Sequence, residues 1–154
     1  MCFCNCDRCK NVNWGSLILG AVILTIIGFV VQMLGSYLMM SYYLMPEFFG
    51  VWSKVMMPVA GPPPMTFFIT SLVFSFVSGL VLAYLYAFIK EILPKGYWQK
   101  VNCFTAIVSG LYFVFFTLPV YLLFNAPLAL NGAWFVSSIV IYYLSSMAFA
   151  KIIK

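Results

Sequence analysis

The sequence predicts an all-α integral membrane protein, a bundle of four transmembrane helices with both termini on the cytoplasmic side. Composition is the first reason: 65% of the 154 residues are hydrophobic and only 7% are charged, whereas a soluble domain has about 25% charged residues. The second is that the apolar residues form four uncharged runs, each long enough to cross a hydrocarbon core about 30 Å thick. The third is the uneven distribution of Lys and Arg among the connections.

The four runs and their connections form one transmembrane domain, residues 14–154. The expected spans cover about residues 15–45, 66–89, 101–124 and 133–150. A span needs about 20 residues, so the longer first run indicates a tilted helix or an end that stands in the interface. Pro46 should end this run, and Pro127 and Gly132 mark the last turn.

The connector after the first span contains an amphipathic segment. Its apolar side chains share one helical face: Phe48, Phe49, Trp52, Met56 and Val59. Its charged and small residues lie on the opposite helical face: Glu47, Gly50 and Lys54. This pattern predicts a short helix that lies in the plane of the membrane interface. Prolines at position 58 and at 62–64 then predict an extended stretch.

The basic residues predict the orientation. Two lie before the first span, three in the connection between the second and third spans, and two at the C-terminus, whereas the first connector carries only Lys54. Seven of the eight therefore lie on one side of the membrane. By the positive-inside rule that side is the cytoplasm, so we expect a multi-pass protein of the cell's inner (plasma) membrane with both termini cytoplasmic.

Small residues on the second helix predict a packing face. They recur every four residues: Ser71, Ser75, Gly79, Ala83 and Ala87. Because lipid tails are as apolar as leucine, membrane helices associate through close packing and interhelical hydrogen bonds. The favoured interpretation is that this stripe closes a monomeric bundle, and the alternative is that it meets its copy in a homo-oligomer. Gln32, the amide of the first span, would fix helix register or line a polar pocket, and register is the favoured role.

Pro119 lies inside the third span. A proline there removes one backbone hydrogen bond and should bend the helix near its outer end. We expect Thr117 to help satisfy a freed backbone group.

The N-terminal tail, residues 1–13, is rich in cysteine. Its thiols are spaced C-x-C-x-C-x-x-C: Cys2, Cys4, Cys6 and Cys9. On the cytoplasmic side thiols are normally reduced, so a zinc site is a better candidate than a disulfide set. Structural zinc sites usually separate two ligand pairs by a loop, however, and acylation is a further alternative. The favoured interpretation is a tail without a resident cofactor.

The chemistry that enzymes and proton-coupled carriers need is missing from the predicted spans. The chain has no histidine, and its three acidic residues lie outside all four runs. Ionisable residues at membrane depth usually mark ion pathways, and no nucleophile–base arrangement is evident. The basic residues are scattered singly, unlike a nucleic-acid-binding patch. We therefore expect neither an enzyme nor a nucleic-acid partner.

Two stretches carry a family resemblance. The first follows the first span: Gly35, Tyr42, Tyr43, Pro46, Phe48, Phe49, Gly50 and Trp52. The second lies in the third span and the turn after it: Gly110, Phe115, Phe116, Pro119 and 125–127. In both, the chain resembles a family of small prokaryotic four-helix membrane proteins without an established activity. The resemblance implies the fold and no mechanism. The chain departs from the family pattern in one extra residue before Gly50 and in its cysteine-rich start.

Three functional hypotheses follow. The favoured one is a non-enzymatic membrane protein that acts by helix packing with itself, with a membrane-protein partner or with lipid. The second is a small transporter or channel for an uncharged or hydrophobic solute. Its path would run between the helices, near Gln32 and the serines of the spans. The third is a membrane-anchored cytoplasmic metal or thiol-redox sensor based on the N-terminal cysteines.

Overall fold

A computed structural model describes residues 13–53, 55–57 and 62–153. The α-helices in chain order are α1 (Trp14–Leu38), α2 (Met40–Tyr43), α3 (Met65–Ile89), α4 (Tyr97–Tyr112), α5 (Leu118–Leu123) and α6 (Leu128–Ile152). A π-helical turn, Phe113–Thr117, joins α4 and α5 into one continuous span, Tyr97–Leu123. The helices α1, α3, α6 and this third span are long and apolar enough to cross a bilayer. The prediction of an all-α, multi-pass membrane protein with four spans is confirmed at this level.

Local sequence signals explain where the helices begin. Asn13 caps α1, since its side-chain oxygen accepts hydrogen bonds from the backbone N–H groups of Gly15 (3.0 Å) and Ser16 (3.4 Å). Pro64 and Pro127 occupy the N-cap positions of α3 and α6 in extended conformations. Each proline disfavours a helical residue before it, so each helix starts immediately after its proline.

The first span is shorter than expected. It ends at Leu38, and Met39 interrupts the helix before the single turn α2. Among the described residues of the connector, the expected interfacial helix is present as a six-residue 3-10 helix, Pro46–Val51, whereas Lys54 and Val59 of the expected faces lie outside the described residues. Helices of this kind rarely extend further because their hydrogen-bond geometry is poor. Contacts of Tyr43 with Trp52 and Trp134, described below, hold the connector in this folded-back course.

The fourth span is longer than expected. Asn131 and Gly132, which we expected to lie in the turn, belong to the first two turns of α6. Asn131 is accommodated there because it is buried and its amide donates a hydrogen bond across to the third span. The turn between the third and fourth spans is therefore only four residues long, 124–127.

The helix α1 lies centrally in the bundle. It packs against α3 on one side and α6 on the other, and α6 packs in turn against α4. Near the N-terminus of α1, Tyr86 of α3 meets Phe104 of α4 edge to face, with ring centroids 5.0 Å apart, and both contact Phe149 of α6. These rings and Leu17 are almost fully buried and form the core at this end.

Candidate functional site

The contact between α1 and α3 brings two backbones together. A Cβ atom added to Gly79 would lie 2.9 Å from the Cα atom and 3.0 Å from the carbonyl oxygen of Ala21. Real Cβ atoms do not approach a backbone so closely. Glycine at position 79 is therefore what permits this helix–helix distance, in the manner of small-residue interfaces in membranes.

The other members of the α3 stripe are unequally involved. Ala83 is fully buried, and its Cβ lies 3.5 Å from where a Cβ on Gly20 would stand. Ser71, Ser75 and Ala87 are half-buried. The middle of the stripe thus lies against the α1 backbone, where α3 meets Gly20 and Ala21.

Gln32 has a different environment from these residues. Its side chain is exposed on α1. Within residues 13–53, 55–57 and 62–153 it has no hydrogen-bond partner. Of its neighbours on α1, Val31 packs against the buried core, and a Cβ added to Gly35 would lie 3.2 Å from Ser137 Oγ of α6. Gln32 thus does not bond across any described helix contact within one copy.

Polar side chains form a buried seam between the third span and α6. Thr105 Oγ1 donates a hydrogen bond to Ser146 Oγ (3.1 Å), and Ser146 Oγ donates to the Tyr142 carbonyl on its own helix (2.6 Å). Farther along, Ser138 Oγ, beside Tyr112, donates to the Trp134 carbonyl of its own helix (2.9 Å). We call the polar side chains at this interface the polar seam: Thr105, Ser109, Tyr112, Thr117, Asn131, Ser138, Ser145 and Ser146. Hydrogen bonds between helices are one of the few forces that hold spans together in lipid.

Four oxygens of the polar seam are buried without a partner among the described residues. They are Ser109 Oγ, Thr117 Oγ1, Asn131 Oδ1 and Ser145 Oγ. These groups ionise neither as acids nor as bases at physiological pH, so they can only hydrogen-bond. An unpaired buried oxygen is costly unless a water or another small polar molecule supplies its hydrogen bond.

The π-helical turn lies where Pro119 interrupts the backbone hydrogen bonds. Leu118 N–H bonds back to the Phe113 carbonyl, five residues earlier. The Thr117 carbonyl accepts from Asn131 Nδ2 across the interface (3.1 Å). The expectation that the Thr117 hydroxyl satisfies a freed backbone group is wrong, because that hydroxyl has no partner among the described residues. The Asn131 amide of α6 thus bonds to the backbone at the end of this turn from another helix.

Little of the polar seam is predictable from the sequence. Asn131 has the sequence context of a turn, and the sequence does not distinguish Thr105, Ser109 and Ser146 from other hydroxyl residues of the spans. A signal was present: Thr105, Ser109 and Tyr112 follow one another at four and three residues, the spacing of one helical face. Hydroxyl groups also bond to their own helix, as Thr25 does to the Ala21 carbonyl (2.8 Å), so such spacing does not by itself identify an interhelical contact.

Three aromatic side chains form a cap at the opposite end of the bundle from the Phe104 core. Trp134 Nε1 donates to the Tyr43 hydroxyl (2.7 Å), and Trp52 Nε1 donates to the Tyr43 carbonyl (3.2 Å). The three rings lie within 6.4 Å of one another, centroid to centroid. Burial raises the pKa of the Tyr43 phenol and so favours its neutral form, which can both donate and accept a hydrogen bond. The cap ties the first connector to α6.

The cysteines proposed as metal ligands, Cys2, Cys4, Cys6 and Cys9, lie outside the described residues. Cys103 in α4 is a half-buried free thiol. Among the residues that the structure describes, no group of three His, Cys, Asp or Glu side chains could hold a metal ion.

No protein-family model, no curated protein and no solved structure matches the chain. The resemblance to small prokaryotic four-helix membrane proteins therefore stays a prediction that rests on the residues themselves.

Proposed function

We propose that this chain is a non-enzymatic protein of the inner membrane that acts by lateral helix packing with itself, a membrane-protein partner or lipid. Both of its termini face the cytoplasm in this proposal. The supporting observation is Gln32, an amide exposed on the surface of α1 and without a hydrogen-bond partner among the described residues.

The depth of Gln32 gives this observation its weight. The 25 residues of α1 make a helix about 37 Å long. Gln32 stands six residues before the end of α1 at Leu38, hence about 9 Å from both that end and the helix midpoint. Half of the hydrocarbon core is about 15 Å thick. If the midpoint of α1 lies near the bilayer centre, the amide lies within the hydrocarbon.

An amide at that depth is stable only when its donors and acceptor are satisfied, since lipid tails form no hydrogen bonds. The exposed side chains Phe29 and Met33 are apolar and supply none, and the exposed Ser36, one turn farther along α1, forms no hydrogen bond with the amide. A polar group from a second membrane-embedded molecule would satisfy the amide. Lateral association therefore accounts for a residue that packing within one copy leaves unexplained.

The test is photo-crosslinking in native membranes. A photoreactive phenylalanine analogue at position 29, one turn from Gln32, should yield protein adducts. The matched control is the same analogue at Phe115, which is 75% exposed and lies on the third span, across α6 from α1. We expect the control to yield lipid adducts. Lipid adducts alone at both positions would contradict association with a second copy or a protein partner through this face of α1.

A second candidate function is a small transporter or channel for an uncharged solute. The four unpartnered oxygens of the polar seam favour it, because they could hydrogen-bond a small polar molecule. Proteoliposome swelling with glycerol tests this directly. Faster swelling than protein-free vesicles, slowed by Ser109→Ala combined with Ser145→Ala, would support transport. Swelling equal to that of protein-free vesicles would contradict it for this class of solute.

A further inference from the structure

The fold gathers three lysines that are scattered along the sequence. They lie where α4 begins and α6 ends: Lys95, Lys100 and Lys151. Tyr97 connects the two helix ends, since its hydroxyl donates to the Met147 carbonyl (3.1 Å) and Lys151 Nζ lies 5.9 Å from the centroid of its ring. Lys100 follows Tyr97 by three residues on α4 and is its neighbour on the helix surface, and Lys95 precedes Tyr97 by two residues. We call these three lysines the basic surface.

The basic surface carries positive charge that the described residues do not neutralise. Within that part of the chain none of its three lysines forms an ion pair, and Lys151 lies over an aromatic ring instead. The acidic residues that the structure describes are Glu91, between α3 and α4, and Glu47, in the first connector at the opposite end of the bundle. Lysines that lie near one another repel, so an anion that binds among them is stabilised by each.

The basic surface also has the depth of lipid headgroups. The span Tyr97–Leu123 has 27 residues, which makes it about 40 Å long, whereas the hydrocarbon core is about 30 Å thick. The ends of the span therefore stand in the headgroup layers. At this end Trp98 is 57% exposed, and its ring meets that of Tyr97 edge to face at 5.0 Å. An exposed indole beside lysines is typical of the membrane interface.

We propose that the basic surface binds the headgroup phosphate of an anionic phospholipid. Lysine ammonium groups bind phosphate as point charges on flexible stems, and basic sites between membrane helices recognise anionic headgroups. A zwitterionic lipid brings its own cation to the site and is therefore bound less tightly. The apolar ring of Trp98 beside the lysines favours a lipid over a soluble phosphate.

This inference goes beyond the proposed function. The basic surface lies at the opposite end of the bundle from Gln32, and it concerns a lipid headgroup rather than association through α1.

The experiment measures lipid binding to the full chain purified in a nonionic detergent. Native mass spectrometry gives apparent dissociation constants for phosphatidylglycerol and for phosphatidylcholine with the same acyl chains. We expect phosphatidylglycerol to bind more tightly. Lys100→Gln and Lys151→Gln should each raise its constant about fivefold, the effect of one lysine beside an anionic lipid surface. Lys100→Arg, which keeps the charge, should retain most of the binding.

The matched control is Lys54→Gln, which removes one positive charge from the first connector. It should leave the constant for phosphatidylglycerol unchanged. Lys151 is exposed and Lys100 is half-buried, and neither forms an ion pair among the described residues. Both basic-surface variants should therefore fold like the wild type, which a melting curve without added lipid checks.

The outcomes decide the proposal in either direction. Tighter binding of phosphatidylglycerol that Lys100→Gln and Lys151→Gln weaken and Lys54→Gln does not supports it. Equal affinity for the two lipids overturns it, and so does unchanged affinity in both basic-surface variants. An equal effect of Lys54→Gln would indicate attraction by net charge alone. Displacement of the lipid by an equal concentration of inorganic phosphate would assign the surface to a soluble anion. Each of these results leaves the crosslinking test at position 29 independent.

Discussion

Gly79 of α3 lies against the backbone of Ala21 in α1, so closely that a Cβ atom at position 79 would stand 2.9 Å from the Ala21 Cα. No flexible side chain at this point can move aside, because the obstructing atoms belong to a helix backbone. The separation of these two spans therefore depends on the absence of one methyl group.

The first prediction concerns this contact. Gly79→Ala should force the two helices apart and lower the free energy of unfolding by about 1–3 kcal/mol, the cost of overpacking. The control is Gly110→Ala, since Gly110 is also helical but exposed, with no atom within 4 Å of an added Cβ. That variant should be neutral, or gain up to about 1 kcal/mol from helix propensity. Thermal unfolding in detergent compares the two, and equal melting temperatures would contradict the close approach.

The second prediction concerns the hydrogen bond from Asn131 of α6 to the Thr117 carbonyl at the end of the π-helical turn. Asn131→Ala removes the side-chain donor of α6 from the buried Thr117 carbonyl and should cost about 1–2 kcal/mol. Asn125→Ala replaces the same residue type in the exposed turn and should change stability by less than about 0.5 kcal/mol. Unfolding curves measure both. An Asn131→Ala variant as stable as Asn125→Ala would mean that the Thr117 carbonyl finds another donor.

The third prediction concerns the aromatic cap. Trp134→Phe keeps a ring but removes the N–H that bonds to the Tyr43 hydroxyl, so the first connector should open more readily. We expect amide hydrogen exchange to become about five- to tenfold faster in residues 40–53, the effect of losing about 1 kcal/mol of local stability. Trp98→Phe is the control, because Trp98 is 57% exposed and outside the cap. Unchanged exchange in Trp134→Phe would show that ring packing alone holds the connector.

The fourth prediction concerns orientation. In a variant whose native cysteines are replaced, Ser53→Cys should react with a membrane-impermeant maleimide in intact cells. Gln99→Cys should react only after permeabilisation, because the basic residues that flank Gln99, Lys95 and Lys100, are expected to face the cytoplasm. Both positions are exposed in the structure, so access alone does not distinguish them. The reverse pattern of labelling would invert the proposed topology.

The sequence was sufficient to predict the four helices. Exclusion of charge from four long apolar runs leaves little choice, since a helix satisfies its own backbone hydrogen bonds in lipid. Prolines also indicated where α3 and α6 begin. Because Asn131 and Gly132 favour a turn, however, we expected α6 to start after Gly132, whereas it starts at Leu128. The error arose because a sequence does not show whether the side chain of a turn-forming residue has a hydrogen-bond partner on another helix.

The faces along which the helices meet were decided by the tertiary structure. In a soluble protein the buried face of a helix is the apolar one, but here every face is apolar, because lipid and protein interior present the same environment. The small-residue stripe on α3 therefore predicted a packing face without identifying Ala21 as its partner. The polar seam between the third span and α6 was equally hidden, because a serine or threonine hydroxyl can bond to its own helix. Gln32 illustrates the same division: its sequence position shows an amide in an apolar run, and only the packing of α1 leaves that amide exposed.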